Sequence, residues 1–310
     1  MTPLAIRTAS LGRQFGTVRA LDDVTFEVPS GIIFGFLGPN GSGKTTMIRL
    51  LLGLLEPTAG TAEVLGFDTR TDAAAIRQQS GALLEHCGLY ERLSAADNLD
   101  LYGRFWRISR ADRRARTKEL LTLLDLYDRR DEIVGGWSRG MKQQLAIARA
   151  LYHRPRLVFL DEPTAGLDPV AAVTLRDRLA HLSASEGVTV FLTTHNLAEA
   201  ERLCSLAGIV NKGRLLAVAP PAQLGARREG ISIEVMGTGL TDAMVEMVAT
   251  LPVVSSARRD GRALMVGLRS ADGTAQIVAA LVNAGYKIET IRNTAGSLED
   301  AFHSLVEAQS

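Results

Sequence analysis

The chain has 310 residues, 46% hydrophobic and 22% charged, ordinary globular composition with enough apolar residue for one large domain and a smaller one. Its 35 basic and 34 acidic residues leave a formal charge of +1, which gives no reason to expect a nucleic-acid partner. Two cysteines, Cys87 and Cys204, lie far apart with no CxxC between them, which argues against a disulfide framework and suits a reducing compartment.

Residues 1–37 alternate short apolar stretches with turn residues, which predicts antiparallel strands. Residues 32–37 read as a buried strand feeding a glycine loop, followed by a helix from about Lys44 to Leu55 that Pro57 and Gly60 stop. Residues 86–135 are rich in Arg, Asp and Leu without β-branched runs, which predicts a subdomain of amphipathic helices. Beyond residue 141 the chain alternates again: a helix, a buried strand at 157–160, a helix, a strand at 188–193 and a helix at about 196–204. Such alternation predicts an α/β fold over residues 1–225, with a mixed sheet core. Residues 220–230 read as a linker. After it, residues 226–310 give the order βαββαβ, with a hairpin at Asp260-Gly261, the order of a small ferredoxin-like α+β domain. A last helix is expected from Ser297, whose spacing to Asp300 resembles a capping box. No signal peptide is visible, and the longest apolar runs, such as residues 31–38, fall short of the roughly 18–20 residues needed to span a bilayer. The chain is therefore expected to be soluble by itself.

The chemistry concentrates in a few places. Gly38, Pro39, Asn40, Gly41, Ser42, Gly43, Lys44 and Thr45 fit the phosphate loop G-x-x-x-x-G-K-[ST], with Thr46 continuing into the helix. Backbone N–H groups there would cradle phosphate oxygens, Lys44 would meet the β- and γ-phosphates, and Thr45 would offer its hydroxyl to Mg²⁺. Asp161 and Glu162 follow an apolar strand, at the strand end where open α/β sheets place ligands. Asp161 suits the metal and Glu162 suits the attacking water, although two acids after a strand also suit a solvated turn. His195 ends the next strand on the same rim and can link water to Glu162, against the ordinary reading of a lone histidine as structural. Phe15 is either core or a platform for a base. Ser138 and Gly140 open a helix whose first turn is a second anion site.

In this order, Phe15, Gly38–Thr45, Ser138-Arg139-Gly140-Met141, Leu157–Glu162, Gly166-Leu167-Asp168 and His195 resemble the ATP-binding subunit of an ABC transporter over residues 1–225. The C-terminal Ser-Leu-Glu-Asp-Ala-Phe and the extra domain are most similar to drug-resistance-type exporter ATPases with separate membrane subunits. The resemblance implies ATP and Mg²⁺ as cofactors, Lys44, Glu162 and His195 as catalytic residues, and Phe15 stacked on adenine. It implies a head-to-tail dimer in which Ser138 and Gly140 meet the ATP of the other copy and Asp168 lies in the dimer contact. It also implies an integral membrane permease as partner, with the chain at the cytoplasmic face of the membrane.

Two positions depart from the family. The signature loop is commonly Leu-Ser-Gly-Gly-Gln, whereas Trp137, Arg139, Met141 and Lys142 here surround only Ser138 and Gly140. Where a glutamine usually touches Mg²⁺ and the lytic water, this chain has Glu85, which keeps a metal-facing oxygen and adds a charge near Glu162. Residues 87–106, with Leu89, Tyr90, Leu93, Leu99, Tyr102, Phe105 and Trp106, are the expected socket for a helix of the permease, although part of that stripe also suits inward packing. The competing readings are a soluble ATPase of this type acting on DNA or ribosomes, and a nucleotide-binding regulator without hydrolysis.

Overall fold

The computed structural model describes residues 3–226, 231–269, 273–294 and 298–307, and the chain divides into two units, Met1–Pro220 and Pro221–Ser310, each taken here by itself. In the first, β1 (Leu4–Phe15) and β2 (Val18–Pro29) form an antiparallel hairpin, and β3 (Ile33–Leu37) leads through the glycine loop into α1 (Lys44–Leu51). The helix stops earlier than expected because Gly53 takes a left-handed φ of 61° just beyond its end, well before Pro57. β4 (Ala59–Val64), β5 (Phe67–Asp68), α2 (Ala73–Gln79) and β6 (Ser80–Leu83) follow. Then come α3 (Ala95–Phe105) and α4 (Arg110–Leu123), each capped by a serine whose hydroxyl accepts the N–H three residues on. α5 (Arg139–Leu151), β7 (Leu157–Asp161), α6 (Pro169–Glu186), β8 (Thr189–Thr194), α7 (Leu197–Leu203), β9 (Leu206–Asn211) and β10 (Arg214–Ala219) complete the unit.

These strands form two sheets. One has the order β2-β1-β4-β5 and is antiparallel; the other has the order β10-β9-β3-β8-β7-β6 and is parallel except for β10. β3 and β7 are buried at every position, apolar throughout but for Gly35 and the terminal Asp161, as a sheet covered on both faces requires. Phe26 of β2 stacks on Phe34 of β3 at 5.3 Å between centroids, and Phe34 stacks on Phe191 of β8 at 5.3 Å, so one aromatic cluster joins the two sheets. Met47, Ile48, Leu50 and Leu51 of α1 pack into the same core and fix the glycine loop against it.

The second unit begins with α8 (Pro221–Ala226), where a linker was expected; proline at the first helical position has its φ preset and lacks only an N–H that would be unpaired anyway. β11 (Ile231–Thr238), α9 (Asp242–Ala249), β12 (Val254–Asp260), β13 (Ala263–Leu268), α10 (Thr274–Asn283) and β14 (Lys287–Thr294) follow, then α11 (Leu298–Glu307). Their antiparallel sheet has the order β12-β13-β11-β14, which is the ferredoxin-like arrangement. Asp260 pairs with Ala263, leaving Gly261 at φ 58° and Arg262 as the hairpin loop. The capping box expected at Ser297 lies outside the described residues. Among those described, no helix is long and apolar enough to cross a membrane.

Candidate functional site

Because β3, β8, β7 and β6 run parallel, their carboxyl ends share one edge, and each delivers a candidate residue there: the glycine loop after Leu37, His195 after Thr194, Glu162 after Asp161, and Glu85 after Leu83. A pocket of about 550 Å³ lies at this edge, lined by Asn40, Gly41, Gly43, Lys44, Thr45, Thr46, Glu85, Asp161, Glu162 and His195. Two polar side chains that the sequence reading did not assign to it, Arg139 and Gln143, line it as well, with Ala20, Leu84 and Ala165.

The loop is built for an anion. Gly43, the N-cap of α1, has φ 102°, and a Cβ there would fall 2.5 Å from the carbonyl oxygen of Ala20, so both conformation and space demand glycine. A Cβ on Gly38 would come 2.3 Å from the carbonyl oxygen of Val210. The first-turn N–H groups of α1 have no intrahelical acceptor, and the buried Ser42 hydroxyl has no hydrogen-bond partner among the described residues, which is the polarity a phosphate satisfies. Lys44, only 6% exposed, donates to the carbonyls of Gly38 at 2.8 Å and Pro39 at 3.1 Å. Its ammonium also stands 3.2 Å from Glu162 Oε1; this is a charge contact without hydrogen-bond direction, since Oε1 has no hydrogen-bond partner.

The acids are held from two sides. Asp161 Oδ2 accepts from the Thr45 hydroxyl at 2.7 Å and Oδ1 from the Thr193 hydroxyl at 2.5 Å. Glu162 sits at φ 49°, a left-handed conformation that costs a non-glycine residue roughly 1–2 kcal/mol. Its N–H is shared between the carbonyl and the hydroxyl oxygen of Thr193, each at 3.1 Å, and its carboxylate meets His195 Nδ1 at 2.9 Å. Thr193 was not singled out in the sequence. Its role follows from the register pairing it with Asp161, which no local pattern displays. A hydroxyl, a carboxylate and incoming phosphate oxygens suit Mg²⁺, which takes few protein ligands and keeps waters or phosphates.

Gln143 of α5 connects two of these loops, donating to the carbonyl of Pro163 at 3.2 Å and accepting from Cys87 at 3.4 Å. The Arg139 guanidinium lies against Gly166, where a Cβ would fall 2.9 Å from Nε. Ser138 is the N-cap of α5, its hydroxyl accepting from Met141 N at 3.3 Å; neither it nor Gly140 lines the pocket of its own chain. Asp168 caps α6, its carboxylate accepting from the N–H groups of Val170 at 3.0 Å and Ala171 at 2.9 Å. Phe15 is not core: it is 43% exposed at the tip of the β1–β2 hairpin, with the Arg13 guanidinium 4.5 Å over its ring and Val18 opposite it.

The profile of the ABC transporter family matches residues 21–165. The daunorubicin resistance ATP-binding protein DrrA3 of Streptomyces coeruleorubidus is 36% identical over 97% of this chain and 96% of its own length. The Nod factor export ATP-binding protein I of Paraburkholderia xenovorans is 37% identical over 80% of this chain and 83% of its own. The solved ATP-binding subunit of an ABC transporter superposes with a TM-score of 0.65 at 32% identity, over 72% of this chain and 92% of that one. A dimeric ATP-binding cassette solved in a post-hydrolysis state with ADP and Pi gives 0.64 at 25% identity, over 69% and 98%. With a fold, a phosphate loop and a near full-length relative in agreement, the chain belongs to the ABC transporter family as an ATP-binding subunit that hydrolyses ATP.

Proposed function

We propose that this ATPase works as a head-to-tail dimer closed on two ATP molecules with Mg²⁺, and that it drives export through a separate integral permease at the cytoplasmic face of the membrane. The observation that carries the reading is the convergence of Lys44, Thr45, Asp161, Glu162, Glu85 and His195 on one pocket. The residues from Gly38 to Thr46 cradle the β- and γ-phosphates, with the Lys44 ammonium among their oxygens. Thr45, Asp161 and Glu85 would supply oxygens for Mg²⁺, which would spread the charge of the phosphates. Glu162 holds the attacking water by accepting its hydrogen bond, and His195 steadies Glu162 through Nδ1, which leaves its other ring nitrogen as the one to meet the γ-phosphate. Water forms its bond to the γ-phosphorus as the bond to the β,γ-bridging oxygen breaks, releasing ADP and phosphate.

Several features support the dimer. Ser138 at the start of α5 does not line its own pocket, and Val170 and Val173 stand exposed at the start of α6. A structural neighbour at 25% identity was solved as a dimer. In this arrangement each Ser138 and Gly140 meet the γ-phosphate held by the other copy, and Phe15 stacks on adenine.

The export reading is supported by the names of relatives and by an exposed aromatic patch of Tyr90, Phe105 and Trp106. Leu99 of that stripe is buried instead, and Trp106 leans on His153. The patch is mechanically tied to the loop that begins at Glu85. Tyr102 and Arg149 both donate to the carbonyl of Gly88, at 2.9 Å each, and Asn98 clamps the backbone of Tyr90 on both sides. Co-expressed with its cognate membrane subunit, the chain should sediment with membranes. Arg92→Glu or Phe105→Asp should impair transport far more than basal ATPase; Asp97 is a poorer choice because its carboxylate accepts from the hydroxyl of Ser94, the residue that caps α3. Unchanged transport in both variants, or association with DNA or ribosomes alone, would refute this reading.

A further inference from the structure

We infer that Thr193 is a positioning residue for the hydrolytic site, one hydroxyl that sets both consecutive acids at once. The inference rests on the roles given above to Asp161 and Glu162. Thr193 is fully buried on β8, and the parallel register puts it beside Asp161 on β7. A buried strand threonine needs a partner for its hydroxyl, and commonly finds a backbone carbonyl. Here the proton goes to a carboxylate instead, at 2.5 Å, the length of a charge-assisted O–H···O⁻ bond.

The directions of the bonds make a chain. Glu162 N–H donates to Thr193 Oγ1, whose own proton goes to Asp161 Oδ1, while Asp161 Oδ2 accepts from Thr45 at the head of α1. Each carboxylate oxygen of Asp161 therefore has one hydroxyl donor, and the two donors come from different elements, which fixes the carboxylate plane. The same Thr193 oxygen accepts the N–H of Glu162, whose left-handed backbone at φ 49° turns its side chain toward Lys44 and His195. Glu162 N–H keeps a second acceptor, the carbonyl of Thr193. Among the described residues Asp161 Oδ1 has no other donor, so loss of the hydroxyl falls first on Asp161.

Thr193→Val keeps the shape and removes the hydroxyl. Supporting side chains of this kind typically change activity or metal affinity by about 10–100-fold. In the full chain, kcat for ATP hydrolysis should fall by about that factor, while KM for ATP stays within about threefold because the phosphate loop is untouched. Mn²⁺ bound to the ADP complex, read by electron paramagnetic resonance, should weaken about tenfold, and Thr193→Ser should restore both readouts. A valine variant with parental kcat and Mn²⁺ affinity, or a serine variant as impaired as the valine one, overturns the inference. If the valine variant does not fold, Thr193→Ala against Thr193→Ser decides: equal activity in the two overturns it, and a serine variant at least about tenfold faster supports it. Glu162→Gln run alongside separates the two readings. If it turns over like the parent, the role of Glu162 itself fails; if it is inactive while Thr193→Val is parental, only Thr193 is excluded.

Discussion

The ammonium of Lys44 stands 3.2 Å from a carboxylate oxygen of Glu162 in a sheltered corner of the pocket. A phosphate entering the loop competes with Glu162 for that ammonium and brings its own negative charge beside the carboxylate. Glu162→Gln should therefore bind ATP at least as tightly as the parent, yet turn over about 10²–10⁴-fold more slowly. Lys44→Ala should lose binding itself. Equilibrium titration with a fluorescent ATP analogue and steady-state phosphate release check both, and near-parental turnover in the glutamine variant would remove Glu162 from the role.

Glu85 lines the pocket together with Asp161, Glu162 and the Arg139 guanidinium. If it serves as an oxygen ligand, Glu85→Gln should keep most ATPase activity because an amide oxygen remains, whereas Glu85→Ala should lose it. Full activity in the alanine variant, measured at saturating Mg²⁺, would exclude Glu85 from the metal.

Ser138 caps α5 and is not among the residues lining its own pocket, so the contact to ATP proposed for it needs a second copy. Ser138→Arg and Lys44→Ala chains should each be inactive alone. Mixed, they form heterodimers with one intact composite site, and part of the activity should return. A mixture that stays inactive while both chains fold and dimerise would argue that the signature turn does not work across an interface.

His153 stacks on Trp106 with ring centroids 4.0 Å apart and planes 7° from parallel. Burial holds its pKa below the ordinary 6.5, against a smaller upward pull from the Ser80 carbonyl and with a further push down from Arg116. The unfolded chain therefore takes up a proton at a higher pH than the folded one. The penalty is absent above about pH 6.5 and grows as pH falls below it toward the folded pKa, so stability is lost on acidification. Thermal melting between about pH 7.5 and 5.5 should show a steeper fall for the parent than for His153→Phe, which keeps a ring against Trp106. Parallel slopes would mean that His153 does not titrate in this way.

Cys204 is buried against Gly35, and burial pushes its thiol pKa up to about 12. Cys87 is only partly buried, in the loop after Glu85. A maleimide reagent near neutral pH should label Cys87 and spare Cys204 in the native chain, and label both after denaturation. Equal labelling of the two in the native chain would contradict this packing.

The sequence by itself determined whatever depends on neighbours along the chain. Gly38 to Thr45 announce a phosphate loop because glycine spacing and the lysine are local requirements, and the apolar runs of β3, β7 and β8 announce a sheet covered on both faces. The hairpin at Gly261 and the βαββαβ order were legible for the same reason. Only the tertiary structure decided what depends on register and approach. The pairing of Asp161 with Thr193 gives one hydroxyl control of two acids, and the lie of the Arg139 side chain along Gly166 brings an unassigned cation to the pocket. Phe15 showed the same limit: an aromatic before a glycine suits either core or platform, and its exposure at the hairpin tip became known only when the strands paired. Long-range pairing is a property of the packed sheet, and a single strand carries no record of which neighbour it will meet.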